Sequence, residues 1–108
     1  MESNKENTLD IIKKAIELRK PIEFEYNKPG KVPGKRIGNP HAIFFHETTN
    51  NCIVHIFQNY GVTATHLKDW KWPLIKFIEN VEILDGQESF EIADGYNPSY
   101  YKNPIVKI

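Results

Sequence analysis

Five side chains in this sequence combine flat π surfaces with positive charge: Tyr26, Trp70 and Trp72, with Arg36 and Lys71. Aromatic faces stack on bases and cations pair with phosphates, so the set has the chemistry of a single-strand nucleic-acid binder. Stacking one base on such a ring contributes ~1–3 kcal/mol, and each phosphate contact adds a salt-dependent increment. Arg36 is the strongest anion contact among them, because a guanidinium pairs phosphate bidentately and also stacks on a base. Trp72 stands beside Pro73 and Leu74, and by that company it reads first as a core residue.

The four histidines, His41, His46, His55 and His66, invite a metal reading. A zinc site needs three or four converging ligands. No HxxxH or HxH pair occurs, and Cys52 is the single cysteine, so metal binding is not expected. His41 and His55 join the ligand-contacting set instead. Nucleophilic catalysis is no better served. Cys52 lies in an apolar run with no charged neighbour to lower its pKa. Ser89 and Ser99 lack an elbow motif, and Gly30 and Gly34 lack a phosphate-loop pattern. Glu23 and Glu25 read as the solvent face of a strand. The expectation is a protein that is not an enzyme and carries no cofactor.

Residues 1–7 read as a flexible leader, followed by one domain over 8–108. Thr8 is a plausible N-cap, with Asp10 in the first turn. Leu9, Ile12, Ile16 and Leu18, with Ile11 and Ala15, make a helical apolar stripe that Pro21 ends. Ile22, Phe24 and Tyr26 then alternate with Glu23 and Glu25, the period of a half-buried strand. A loop punctuated by Pro29, Gly30, Pro33 and Gly34 leads into a second extended run from Arg36 through Pro40 to Phe45.

Two apolar-rich runs, His41 to Thr48 and Cys52 to Asn59, flank Asn50-Asn51, a hairpin signal because Asn tolerates positive φ. A two-residue turn there would set His46 opposite His55, Phe44 opposite Phe57 and Phe45 opposite Ile56. Tyr60 to Asp69 reads as a polar connection, and Trp70 and Trp72 share a face if extended. Val81, Ile83 and Leu84 suggest a strand, Asp85-Gly86 a turn, Phe90 with Ile92 a short strand, and Ile105 to Ile108 an edge strand. The fold class is therefore mainly β: a small curled sheet or barrel with one N-terminal amphipathic helix. A parallel α/β fold would need further helices.

The 108 residues include 40% apolar and 12% aromatic side chains and sum to zero net charge. No apolar run approaches the ~20 residues of a membrane span. The polar start MESNKENTLD lacks a signal-peptide core, and a lone cysteine suits a reducing compartment, so a cytoplasmic location is expected. The zero net charge joins unlike halves. Lys28 to Lys76 holds seven bases against two acids, whereas Glu79 to Asp94 holds six acids and no base. Such asymmetry fits a basic binding surface, or equally a solvated mixed-sign one.

The order helix, aromatic-ended strand, basic loop, then Arg36 and Pro40 four residues apart resembles the opening half of a WYL domain. The likeness runs from residue 9 to 84, leaving 85–108 as a C-terminal extension. Phe24 and Tyr26 match the strand that ends in tyrosine, Arg36 and Pro40 open the next, and Ile43 supplies its apolar position. The Trp-Tyr-Leu triplet is absent as letters, since that strand reads Cys52-Ile53-Val54-His55-Ile56. Lys71 falls where the family carries a basic residue, before Leu74, Ile78, Val81 and Leu84. Phe77 occupies the place of a following arginine, for which Lys76 is the neighbouring substitute.

The resemblance implies an Sm-like or SH3-like barrel whose basic-aromatic face binds single-stranded nucleic acid or a nucleotide-type anionic ligand. It also implies a regulatory module of bacterial type, with any DNA-binding or effector domain supplied by a partner protein and the oligomeric state open, a homodimer included. The alternative is a protein–protein adaptor, an accessory subunit of a regulatory or defence complex. In that reading the same face, or the tail aromatics Tyr96, Tyr100 and Tyr101, docks on another chain.

Overall fold

The computed structural model describes residues 4–31, 34–61, 69–101 and 103–108. Helix α1 spans Asn4–Leu18, so it begins four residues before the expected cap and takes in part of the expected leader. Thr8 lies inside the helix and is buried. Ile12, Ala15 and Ile16 form the buried stripe, whereas Leu18 is exposed.

The helix ends in a left-handed residue, Arg19 (φ 57°). The Arg19 N–H donates to Ile16 O at 3.1 Å and the Lys20 N–H to Ala15 O at 2.9 Å, the bond pattern of a Schellman cap. The remaining carbonyls of this end are taken by a distant segment: Phe90 N–H donates to Arg19 O at 2.8 Å, and Ser89 Oγ to Leu18 O at 3.2 Å. That use of the Phe90 amide explains why Phe90 to Ile92 is not the strand its alternation suggests. The amide caps the helix instead of entering a ladder.

Six strands follow: β1 (Ile22–Tyr26), β2 (Lys35–Phe45), β3 (Cys52–Gly61), β4 (Asp69–Lys71), β5 (Ile78–Ile83) and β6 (Val106–Lys107). They form one antiparallel sheet in the order β4-β3-β2-β1-β5, with β6 pairing β2 at Ala42 and Ile43. The fold is thus mainly β with one N-terminal helix, and the sheet is open: no pairing among the described residues joins β4 to β5. The edge strand at the C-terminus and the Asp85-Gly86 turn stand where the sequence suggests. No helix among the described residues is long and apolar enough to cross a membrane.

Both faces of the sheet centre are covered. One face meets α1, where Ile12 and Ile16 pack with Ile22, Phe24, Tyr26, Ile43, Val54, Ile56 and Ile78. Burying each of these large side chains contributes roughly 1.5–3 kcal/mol. The opposite face carries Ala42, Phe44, Ile53 and Tyr101 under the C-terminal segment. Pro40 makes the two faces possible. Proline has no N–H for a ladder, so inside a sheet it sits at irregularities. The β2–β3 register shifts between Pro40 and Ala42, a bulge that leaves His41 without a partner on β3 and turns Ala42 and Phe44 to the second face.

The β2–β3 hairpin differs from the two-residue expectation. Its closing pair is His46 with Asn51, whose N–H···O bond is 2.8 Å, and Asn50 N–H also returns to His46 O at 2.9 Å. The loop is held by His46 itself, whose Nδ1 accepts from the N–H groups of Thr48 and Thr49 at 3.1 and 3.3 Å. Asn50 supplies the positive φ, 59°. Phe45 therefore pairs with Cys52, Phe44 with Ile53 and Ala42 with His55. His46 and His55 do not face each other.

Candidate functional site

The structure divides the sequence-predicted residues into two groups. Tyr26 and Arg36 belong to the helix-covered face, and both are buried. The Arg36 guanidinium lies 5.3 Å from the centre of the Tyr26 ring. Tyr26 meets Phe77 edge-on at 6.2 Å, and Lys76 Nζ sits 5.4 Å over Phe77. The Tyr26 hydroxyl accepts the Leu74 N–H at 2.9 Å, tying β1 to the segment before β5. Burial raises the Tyr26 pKa and lowers that of Arg36, though a guanidinium stays charged at these shifts. Neither ring nor guanidinium offers the open surface a phosphate or base requires.

Arg36 is consequently a packing residue. Arg36→Ala is expected to destabilise the fold by about 2 kcal/mol, the scale of a desolvated cation–π contact with its stem packing. Urea unfolding measures this, and a variant as stable as the wild type would contradict it. Lys71 pairs with Ile56 across the β3–β4 ladder, which places it on the opposite face of β4 from Trp70.

The second group converges. His41, His55, Trp70 and Trp72 meet on the face covered by the C-terminal segment, joined by Phe44, Tyr96, Tyr100 and Tyr101. The His55 ring lies 4.3 Å from Trp70 and 5.2 Å from Trp72, the latter nearly parallel at 20°. His41 lies 4.8 Å from Trp70, 5.0 Å from Phe90 and 5.2 Å from Tyr96. Trp70 and Trp72 share a face as their two-residue spacing implies. Trp70 is anchored, its indole N–H donating to Asp94 O at 2.9 Å. The chain can close over it there because Gly95 adopts φ 86° and a Cβ would stand 3.2 Å from the indole nitrogen. Trp72 is 54% exposed, contrary to its expected place in the core.

A capped turn sorts the adjacent tyrosines. Asn97 Oδ1 accepts from Ser99 N–H at 3.2 Å and Oγ at 2.7 Å, starting the 3-10 turn Pro98–Tyr100. The turn leaves Tyr100 61% exposed and drives Tyr101 inward to 6%. Tyr96 is half-buried, its hydroxyl donating to Ile108 O at 3.0 Å. Of the three tail aromatics expected to be exposed, only Tyr100 is. Beside it runs a groove of about 410 Å³ lined by Phe44, Phe45, His46, Glu47, Thr48 and Tyr100.

Hydrogen bonding sets the histidine protonation. His41 Nδ1 faces Asn39 O at 2.8 Å, and a carbonyl can only accept, so Nδ1 carries hydrogen. Its Nε2 receives the Ala93 N–H at 3.1 Å and must offer a lone pair. His41 is therefore neutral, and burial lowers its pKa, opposed by the Asn39 bond and assisted by the Arg19 charge. His55 Nδ1 bonds the Tyr101 hydroxyl. Burial, with Tyr96 and Tyr100 adding, raises the Tyr101 pKa, and burial, with His41 adding, lowers that of His55 to about 4.

The two values move apart, so the phenol keeps its proton and the imidazole stays neutral. Were His55 Nδ1 the donor, both the phenol hydrogen and the Nε2 lone pair would lack partners. With Tyr101 donating, one group of this pair is left over: a buried Nε2–H without a hydrogen-bond partner among the described residues. The lone pair on His55 Nδ1 is taken up by the Tyr101 hydroxyl. What the cluster offers is stacking surface and one unmet donor.

His46 lies at the hairpin loop and lines the groove beside Tyr100, and His66 falls outside the described residues. Among the described residues no three His, Cys, Asp or Glu side chains gather as metal ligands. Tyr100 and Tyr101 had a sequence signal, the aromatic pair after Asn97-Pro98, but nothing local showed that one would point in and the other out. Comparison with protein families, with curated proteins and with solved structures finds no match to this chain.

Proposed function

We propose that this chain is a non-catalytic binding module that takes a planar anionic ligand of nucleotide type, a free nucleotide or a base of single-stranded nucleic acid, against Trp72. One observation carries the reading: the Trp72 indole is half in solvent yet laid nearly parallel on a buried, neutral imidazole. A large aromatic face left in solvent beside other rings is a surface on which a base can stack. Tyr100, 61% exposed with its ring 6.4 Å from that of His55, adds a second exposed aromatic. The order of α1, β1, basic loop and β2 supports the WYL likeness, in which such a module reports ligand occupancy to a partner protein.

The test is a titration of single-stranded DNA and RNA, and of mononucleotides, at several salt concentrations, read by tryptophan fluorescence. Trp72→Ala is expected to weaken binding by ~1–3 kcal/mol, the worth of one stacked base. Glu88→Ala, in the acidic region, should leave it unchanged. Unchanged affinity in Trp72→Ala would mean that stacking on this ring does not carry the interaction.

The adaptor reading has one observation of its own. Phe45, Trp72 and Tyr100 are exposed at 44%, 54% and 61%, and Phe45 and Tyr100 border the same groove. Exposed apolar groups of this kind mark protein contacts. Apolar docking is insensitive to salt whereas phosphate-driven binding is not, and absence of nucleotide binding at low salt would favour the adaptor.

A further inference from the structure

His55 presents a detail that stacking alone does not use. The residue is nine-tenths buried, its Nδ1 is held by Tyr101, and its Nε2 has no hydrogen-bond partner among the described residues. An unmet buried donor costs the free energy of a lost hydrogen bond, and such groups are rare in folded proteins. The imidazole cannot escape the cost by ionising, because its pKa lies far below neutrality. Nor can it turn over without breaking the Tyr101 bond. The donor is therefore fixed in direction, neutral, and set among aromatic faces.

We infer that the ligand ring presents the keto oxygen at C4 of a pyrimidine or C6 of a purine to the His55 Nε2 hydrogen, so that the site selects uracil- and hypoxanthine-type rings over cytosine and adenine. This inference rests on the stacking reading above and gives it a specificity. A keto oxygen accepts the hydrogen, whereas an exocyclic amino group brings a second donor against it. A site built to satisfy a buried polar group discriminates strongly, because the wrong ligand leaves that group unpaired. The indole of Trp72 lies over the imidazole without any hydrogen bond to the described residues holding it there. Contact with the buried Nε2 therefore requires that indole to turn aside, and the same ring then stacks on the incoming base.

Two ligand pairs isolate the contact. UMP and CMP share ribose, phosphate, ring size and the C2 keto oxygen and differ at C4 and the ring nitrogen N3 beside it, as IMP and AMP differ at C6 and N1. Calorimetric titration of the wild type is expected to show UMP tighter than CMP and IMP tighter than AMP, each by roughly tenfold, the ratio one buried hydrogen bond commands. His55→Asn keeps an acceptor for the Tyr101 hydroxyl and removes Nε2. It should bring both ratios to about one while nucleotide binding persists.

If that variant folds poorly, the nitrogen chemical shift of His55 Nε2 in the wild type decides the matter. It should move with UMP and IMP and stay in place with CMP and AMP. Equal affinities within both pairs, or a keto preference that survives in His55→Asn, would overturn the inference and leave the stacking reading standing. Failure of all four nucleotides to bind would overturn the stacking reading itself, and the inference with it.

Discussion

Acidification from pH 7 to about pH 4 is expected to remove on the order of 2–3 kcal/mol of folding stability through His55 alone. An unfolded imidazole takes up its proton near 6.5, while the folded His55 does so only near 4. Between those values the unfolded chain binds more protons than the folded one, so stability falls as pH falls through the window and levels off below it. The contribution is fully present above pH 6.5. His41, also depressed, acts in the same direction.

The groups around these rings explain the depression. His41 faces Trp70, Phe90 and Tyr96 and feels the Arg19 charge, while His55 faces Phe44, Trp70, Trp72, Tyr100 and Tyr101 and feels His41. No carboxylate appears among the causes for either ring. Protonating His41 also removes the lone pair that holds Ala93, which loosens the C-terminal cover. Urea midpoints across the pH range, with NMR titration of the His55 ring, measure the effect. Stability that is flat from pH 7 to about 4, or a His55 midpoint near 6.5, would contradict it.

Tyr101→Ala should cost roughly 3–5 kcal/mol, the range for truncating a buried aromatic side chain. The ring packs on Phe44 at 4.8 Å, on Tyr100 at 5.4 Å and on Tyr96 at 6.1 Å, and its hydroxyl supplies the one hydrogen bond that orients His55. Truncation leaves a cavity and both imidazole nitrogens unpartnered. Tyr101→Phe keeps the packing and loses the hydroxyl, so about 1–2 kcal/mol is expected. Chemical denaturation separates the two variants. Equal losses would mean that the hydrogen bond, not the ring, anchors this segment, and a loss under about 1 kcal/mol for Tyr101→Ala would show that it is not anchored at all.

Much of the framework was legible from local patterns. The apolar stripe of α1, the alternation of β1, the breaks at Pro21 and Asp85-Gly86, and the edge strand near Val106 are periodicity and turn chemistry, which depend on a residue and its near neighbours. The pairing of Trp70 with Trp72 on one face follows from strand geometry in the same way. Register was not legible. Asn50 does take the positive φ that its type allows, yet the loop was lengthened by His46 accepting two amide hydrogens. That small change moved every cross-strand pair, setting His55 opposite Ala42 and away from His46.

The site depended on contacts between distant parts of the chain. Arg36 and Tyr26 carry the residue types of an anion-binding face, but the fold closes α1 and the segment before β5 over them. Sequence types state what a side chain can do, and only burial states whether a ligand can reach it. Conversely, the tail read as a loop-like extension covers the second face of the sheet and surrounds His55. A bulge at Pro40, a helix end capped by Phe90, and a turn capped by Asn97 bring His41, His55, Trp70 and Tyr101 together from four separate segments. Secondary structure here was written in neighbouring residues; the cluster required backbone groups far apart in sequence to satisfy one another's hydrogen bonds, and no local pattern encodes that.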